Sequence, residues 1–304
     1  MLLARGKSGS YFTLSVCPSM IAPPRGQLAS MSASATPDFY VTGLPAFNDN
    51  YIWLIRSASL EGIVAVDPGD AAPVIEACRR SGQQLQQVWL THHHADHTGG
   101  VSELAAWVAT RGGQLTVCGP QHEQIAGLTR PLQGGEHWAL SPQLNVDVLA
   151  VPGHTRGHIA YVLRGTDTVQ PPALFCGDVL FGLGCGRLFE GTADQMWTSL
   201  GRIRTLPPET RIYCAHEYTL LNLPFAESVD PGNSALMARG LEIRRLRQAG
   251  EPTVPLILAE ECATNPFLRS DEVALRNAVM LPGDSAPVEV FTRLRQMRDS
   301  FKAS

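Results

Sequence analysis

The ten residues THHHADHTGG, Thr91 to Gly100, constrain this chain more than any other feature. Four histidines and an aspartate fall within six consecutive positions of a sequence that has nine histidines in all. In the pattern His92-x-His94-x-Asp96-His97, imidazoles and an ionised carboxylate offer nitrogen and oxygen lone pairs from one tight turn, a donor set that suits zinc, iron or manganese. A chance tract like an expression tag would not continue, as this one does, with aspartate and then the helical pattern VSELAAWVATRGG. There are too many ligands for one ion. His92 and His94 lie two apart and can face one metal, while Asp96 and His97 face a second roughly 3.5 to 4 Å away in a two-metal arrangement. Each ion then still lacks partners, which must come from elsewhere in the chain.

The rest of the sequence offers them in a repeated form. GIVAVDPGD is a short β-branched run ending in an Asp-Pro-Gly turn, APVIEACRRSG follows with helical spacing and a glycine stop, and QQVWL leads into the cluster. LNVDVLAVPGHT, ALFCGDVLF and TRIYCAHEYT are strand-like runs with His154, Asp178 and His216 at or just after their ends. In layered α/β structures the loops leaving strand ends are where sites are built. These three side chains are therefore expected to converge on the cluster, with Asp178 shared between the two ions. Beyond about Tyr218, NSALMARGLEIRRLRQAG, SDEVALRNAVM and PVEVFTRLRQMRDSF read as helices opened by Ser, Asp or Pro, and imply a smaller helical domain laid against the first. The remaining histidines, His93, His122, His137 and His158, read as surface or packed residues, and Glu217 as support beside His216 or a surface residue.

Composition removes several alternatives. A chain of 304 residues that is 44% hydrophobic can bury one large core, or a core with an appended domain. A formal charge of -4 provides no basic field for sequence-independent binding to nucleic acid. Seven cysteines, an odd number with no C-x-x-C pair, argue for reduced thiols over a disulfide framework or a thiolate zinc site. No run of about 18 apolar residues is present to span a membrane. Residues 1–37 carry no acidic side chain before Asp38 and are rich in serine, which reads as a variable or disordered extension, with organellar targeting by residues 1–30 as the alternative to a cytoplasmic location. There is no G-x-S-x-G elbow, and GLGCG lacks the spacing of a dinucleotide loop.

T-H-x-H-x-D-H followed by PGHT, CGD and CAHEYT resembles the metallo-β-lactamase superfamily. FNDNYIWLI near the start, GCGRLFEG at Gly184 to Gly191, ATNPFLR at Ala263 to Arg269 and the terminal RLRQMRDSF occur in the order found in its glyoxalase II branch, the hydroxyacylglutathione hydrolases, and the resemblance runs from about Tyr40 to Phe301. It implies an α/β fold, an αββα sandwich over residues 38–216, with a substrate-binding helical domain over residues 217–304. It implies two divalent ions, zinc foremost with iron or manganese as alternatives: His92, His94, His154 and Asp178 on the first, and Asp96, His97, His216 and the shared Asp178 on the second. A metal-bridging hydroxide would then attack a glutathione thioester, with Asp96 and Asp178 as the catalytic carboxylates. The expected substrate is a small-molecule S-(2-hydroxyacyl)glutathione, chiefly S-D-lactoylglutathione, and the expected state is a monomer.

On the substrate side the chain departs from the family pattern. G-C-G-K-F-Y-E-G becomes G-C-G-R-L-F-E-G, so Arg187 keeps the positive charge while Phe189 loses the phenol hydroxyl. The family's Arg-x-x-Lys falls on Arg295 and Arg298, whose planar forks can grip a carboxylate bidentately, and Tyr218 matches its substrate tyrosine. The competing readings within the superfamily are a persulfide dioxygenase, which uses one iron and lacks the C-terminal domain, and another hydrolase such as a lactonase.

Overall fold

Strand β2 (Asn50–Arg56) shows how this sequence makes layers. Tyr51, Trp53 and Ile55 point into one apolar cluster while the intervening Ile52 and Leu54 point into another. A strand whose side chains alternate between two cores must be covered on both faces. The structure is a computed structural model that describes residues 37–166 and 170–302; Cys17 and the serine-rich extension lie outside the described residues.

The first sheet has the order β1 (Tyr40–Ala46), β2 (Asn50–Arg56), β3 (Ile63–Val66), β4 (Leu85–Trp89), β5 (Thr116–Pro120) and β6 (Arg130–Leu132), antiparallel as far as β3 and parallel from β3 onward. Its connections carry α1 (Ala71–Ser81), α2 (Ala95–Thr98) and α3 (Val101–Ala109). Helix α1 begins where the Asp70 carboxylate accepts a hydrogen bond from Ala72 N–H, and ends at Gly82 in the left-handed region, with φ 70°. Its Val74 and Ile75 pack with Leu104 and Val108 of α3 on one face of the sheet.

The second sheet runs β14 (Leu256–Ile257), β13 (Arg211–Cys214), β10 (Ala173–Gly177), β9 (Ile159–Gly165), β8 (Leu144–Ala150) and β7 (His137–Ser141). Between β10 and β13 come the short hairpin β11 (Leu180–Phe181) and β12 (Gly184–Cys185) and helix α4 (Ala193–Arg204), which opens on a Thr192–Gln195 capping box. The two sheets meet through Trp53, Val66 and Trp89 from the first and Val146, Tyr161 and Phe175 from the second, with Trp89 stacked on Tyr161 at 4.9 Å between centroids. Each such buried side chain contributes roughly 1.5 to 3 kcal/mol relative to exposure. Met196 and Leu200 of α4 close the far side, which completes the αββα order that the family resemblance implies.

The remaining helices are α5 (Thr219–Val229), α6 (Ser234–Gln248), α7 (Leu258–Thr264), α8 (Val273–Ala278) and α9 (Pro287–Ser300). Phe291 and Leu294 of α9, with Phe267 and Leu268, enter the same core as the second sheet, while Leu223 and Leu236 form a smaller cluster around Leu183 of the hairpin. SDEVALRNAVM makes only the six residues of α8, because no side chain caps its start and Met280 turns into the left-handed region at φ 56°.

Candidate metal centre

Strand direction decides where the site forms. Strands β3 and β4 run parallel, as do β10 and β13, and β8 shares the direction of β10 through antiparallel β9. Their carboxyl ends lie along one edge of the sandwich, where a bridge between Asn50 and His216 and the Tyr51 N–H bond to Ala215 O (2.7 Å) tie the sheets together. Onto that edge β4 delivers the histidine run, β8 delivers His154, β10 delivers Asp178 and β13 delivers His216. Gly177, at φ 51°, makes the turn before Asp178, and a Cβ there would lie 2.2 Å from Thr91 Oγ1.

The seven residues singled out from the sequence come together here as overlapping groups with convergent ligand atoms. His92 Nε2 and His154 Nε2 lie 3.0 and 3.1 Å from His94 Nδ1. Asp178 Oδ2 is 3.4 Å from His154 Nε2, while its Oδ1 is 3.5 Å from His97 Nε2 and 3.4 Å from His216 Nε2. Asp96 Oδ2 lies 3.5 Å from each of those same two nitrogens. Ligands around a tetrahedral ion with bonds of 2.0–2.1 Å stand about 3.3 Å apart, which these separations match. His97 Nε2 and Asp178 Oδ1 are also buried without a hydrogen-bond partner, an expensive state for a polar atom unless it serves a ligand. The donor set fits two divalent ions.

The outward-facing atoms fix each ring. The Nδ1 atoms of His92, His154 and His216 lie within hydrogen-bond distance of Thr91 Oγ1 (3.1 Å), the Arg187 carbonyl (2.9 Å) and Asp49 Oδ1 (2.8 Å) respectively. With Nδ1–H donating to such acceptors, the Nε2 lone pair is left facing inward. Asn50 Nδ2 donates to Asp96 Oδ2 at 3.0 Å, and Asp67 accepts from Thr91 N–H (2.8 Å) and Oγ1–H (2.7 Å) while its Oδ2 lies 3.1 Å from His97 Nδ1. His158, fully buried, stacks on His92 at 4.7 Å and its Nε2 accepts from Asp178 N–H, so it packs the centre from behind.

Charge divides the centre in two. Burial holds the pKa of His92, His94 and His154 low, which leaves neutral imidazoles with free lone pairs. Burial is the largest influence on His97 and His216 too and opposes their protonation, but the surrounding carboxylates together outweigh it, Asp178, Asp67 and Asp96 at His97 and Asp178 and Asp49 at His216, and their pKa values rise. Burial works against ionisation of Asp178, yet His97 and His216 keep its carboxyl well below the usual range.

Around the mouth the placement is less uniform. Phe189 is 61% exposed and sets its ring edge 5.2 Å from His154 and 5.8 Å from His94, between centroids. Tyr218 stacks on His216 at 4.6 Å, and burial, with Asp49 nearby, pushes its hydroxyl up to about 12. The Arg187 side chain is exposed, 3.9 Å from Asp299. Arg298 donates to Asn222 Oδ1 at 3.2 Å. Arg295 is only 6% exposed and donates to the Cys185 carbonyl (3.0 Å) and Asp299 (2.9 Å), so it lies beneath the mouth and not on a solvated helix face.

Among the other residues weighed from sequence, Glu217 turns inward, accepting from Tyr51 Oη (2.9 Å) and Thr253 N–H (2.9 Å). His93 lies 3.0 Å from Glu123, and His122 and His137 are exposed. Asp49, Asn50, Asp67 and Thr91 join the centre without being candidates in the sequence, although Asp67 closes an apolar strand run within its Asp-Pro-Gly turn just as Asp178 closes another.

Residues 47–216 match the metallo-beta-lactamase superfamily, and residues 217–301 match the C-terminus of hydroxyacylglutathione hydrolase. The hydroxyacylglutathione hydrolase of Dechloromonas aromatica is 53% identical over 78% of this chain and 84% of its own length, and that of Cupriavidus taiwanensis 48% identical over 86% and 99%. Among solved structures, a metallo-beta-lactamase from Staphylococcus aureus superposes with a TM-score of 0.56 at 20% identity, covering 86% of this chain and 72% of that one. ETHE1 from Myxococcus xanthus does so with 0.54 at 24%, covering 84% and 99%. Those two structures share the fold. Identity at the level of the Cupriavidus and Dechloromonas relatives, sustained through both the sandwich and the helices, places this chain in the hydroxyacylglutathione hydrolase family of the metallo-β-lactamase superfamily.

Proposed function

We propose that the chain hydrolyses S-(2-hydroxyacyl)glutathione thioesters, chiefly S-D-lactoylglutathione, to glutathione and D-lactate, the second step of methylglyoxal detoxification. One observation carries the reading: Asp178 turns one oxygen toward His154 and the other toward His97 and His216, next to a mouth edged with arginines.

His92, His94 and His154 would hold one divalent ion, Asp96, His97 and His216 the other, and Asp178 both, with zinc as the proposed metal and iron or manganese suited to the same donors. Bound there, two such ions supply a Lewis acid for the thioester carbonyl and lower the pKa of water toward 7. The protein's own work is orientation. Asp49, Thr91 and the Arg187 carbonyl keep the rings of His216, His92 and His154 turned inward, and Asn50 holds Asp96. Asp96 and Asp178 are the catalytic carboxylates in this reading.

Glutathione is anionic through its carboxylates, and the arginines suit it. Arg298 is only part-buried and bonds Asn222 Oδ1 through Nη2, which leaves other guanidinium N–H groups to give, and Arg295 lies buried beneath the mouth. With Arg187, they form the carboxylate-recognising side of the mouth, while Tyr218 and Phe189 wall the reacting end. Residues 38–216 then carry the chemistry together with Arg187 and Phe189 of the mouth, and residues 217–304 supply Tyr218, Arg295 and Arg298. The chain is proposed to act as a cytoplasmic monomer; no helix among the described residues is long and apolar enough to cross a membrane.

The test is loss of thioester absorbance with S-D-lactoylglutathione on the purified full chain, with metal analysis of the same sample. Rapid hydrolysis with close to two metals per chain is expected. Inactivity with two metals bound would move the substrate elsewhere in the superfamily, lactones first.

A further inference from the structure

The β11–β12 hairpin is held almost entirely by side chains from the C-terminal helices. The Phe181 and Gly184 carbonyls both accept from Asn265 Nδ2, at 3.1 and 3.0 Å. The Gly182 carbonyl accepts from Asn222 (3.0 Å) and the Cys185 carbonyl from Arg295 (3.0 Å), while Leu183 N–H donates to Glu261 Oε2 at 3.0 Å. Asn265 and Glu261 are fully buried, and Glu261 Oε2 lies 2.9 Å from the same Asn265 Nδ2, sharing its two N–H groups with the two carbonyls, while Arg239 pairs with the other oxygen of Glu261. Leu183 itself sits at φ 56°, a conformation that a leucine keeps only when its surroundings impose it.

A buried ion pair is a poor source of stability, since its desolvation offsets most of its attraction and apolar side chains of the same volume do as well. What Arg239 and Glu261 supply is a fixed position for Asn265, whose amide is the one group that ties both strands of the hairpin. The hairpin leads directly to the metal centre. Gly186, next in the chain, lies so close to the Asp178 carbonyl that a Cβ there would stand 2.0 Å from it. Arg187 follows with the carbonyl that accepts from His154 Nδ1 at 2.9 Å, and Phe189 N–H returns a bond to the His154 carbonyl at 3.2 Å.

We infer that Asn265, set in place by the Arg239–Glu261 pair, is a positioning residue for the reaction: it fixes the hairpin that orients His154 and carries Arg187 to the mouth. The inference rests on the metal-centre reading above, and it makes the helical segment part of the metal site's support as well as of the substrate's.

The test uses the full chain loaded with zinc, comparing Asn265→Ala with Leu275→Ala. Leu275 is fully buried in α8 and bonds none of the hairpin, so it reports what loss of stability alone does. The measurements are metal retention against a competing chelator, thermal melting, and KM for the glutathione thioester. Asn265→Ala is expected to hold one of its two ions about 10-fold more weakly, at the low end of what removal of a ligand's supporting partner costs, and to show a raised KM. Leu275→Ala, at a comparable loss of Tm, is expected to keep both ions as tightly as the unaltered chain. Equal retention in the two variants would overturn the proposal. Should Asn265→Ala fail to fold, Glu261→Gln, which keeps an acceptor for Leu183 N–H while giving up the ion pair, carries the same expectation against the same control. Chelator competition needs no substrate, so a wrong substrate would appear separately, as an inactive unaltered chain that holds two metals.

Discussion

The candidate metal centre and the proposed substrate mouth sit side by side but are built by opposite rules. In the centre, His92, His154 and His216 each set one nitrogen inward and the other against a fixed partner, and most of the ligands are buried. At the mouth the Arg187 side chain is 67% exposed and reaches Asp299 only at 3.9 Å, and Phe189 stands in solvent. The first region is over-determined, because moving any ring strains several bonds at once. The second is less constrained, since the Arg187 and Phe189 side chains have few partners to hold them. The difference teaches where changes will be shared and where they will stay local.

Asp178→Asn should separate the two regions most strongly. The carboxylate turns one oxygen toward each ligand set, and an amide replaces one of its acceptor oxygens with an NH2 that repels a cation. Both metals should fall together, and thioester hydrolysis by more than the roughly 100-fold typical of losing a ligand's outer partner. Metal analysis and kcat/KM on one preparation measure it. A metal-replete, active variant would mean that the centre does not depend on a shared carboxylate.

Arg298→Ala should act mainly on the mouth. Its guanidinium is only part-buried, which leaves N–H groups for a substrate carboxylate, and it reaches the hairpin only through Asn222, whose amide bonds the Gly182 carbonyl. Loss of one charged hydrogen bond predicts a KM for the glutathione thioester raised about 10-fold, with kcat and metal content unchanged. The same truncation at Arg295 should not be so clean, because that side chain also holds the Cys185 carbonyl of the hairpin. An unchanged KM in Arg298→Ala would return that residue to a purely structural role.

This asymmetry also explains what the sequence disclosed. His92, His94, Asp96 and His97 were legible because rare residue types crowd one turn, and His154, Asp178 and His216 because each closes an apolar run. Such signals are local. The alternation of strands and helices was legible for the same reason, since helix caps such as Asp70 and Gly82 act over a few residues, whereas the sandwich order was implied only by the family resemblance. The supports were not legible. Asp49 meets His216 across 167 positions and Asn265 meets the hairpin across 81 and 84, and nothing in either neighbourhood announces the pairing. Arg295 shows the limit most plainly, for helical spacing alone cannot tell a guanidinium facing solvent from one that is 6% exposed under a loop.

The smallest expected effect probes the boundary between the two regions. Phe189 lacks the hydroxyl that the family pattern places there, and its ring meets His154 and His94 edge-on while most of it faces solvent. Phe189→Tyr adds a polar atom without burying it, so neither Tm nor metal retention should change. A neutral hydrogen bond gained with the substrate contributes roughly 0.5 to 1.5 kcal/mol, which would lower KM by about 2- to 10-fold. Comparing lactoyl with bulkier acyl thioesters locates that bond. A gain common to all of them places the new hydroxyl against the glutathione portion, whereas a gain that depends on the acyl group makes position 189 a wall of the acyl pocket. Weaker metal retention in this variant would contradict the separation itself, because it would mean that a ring standing in solvent helps hold His154 and His94 in place, and that the rigid centre extends outward into the mouth.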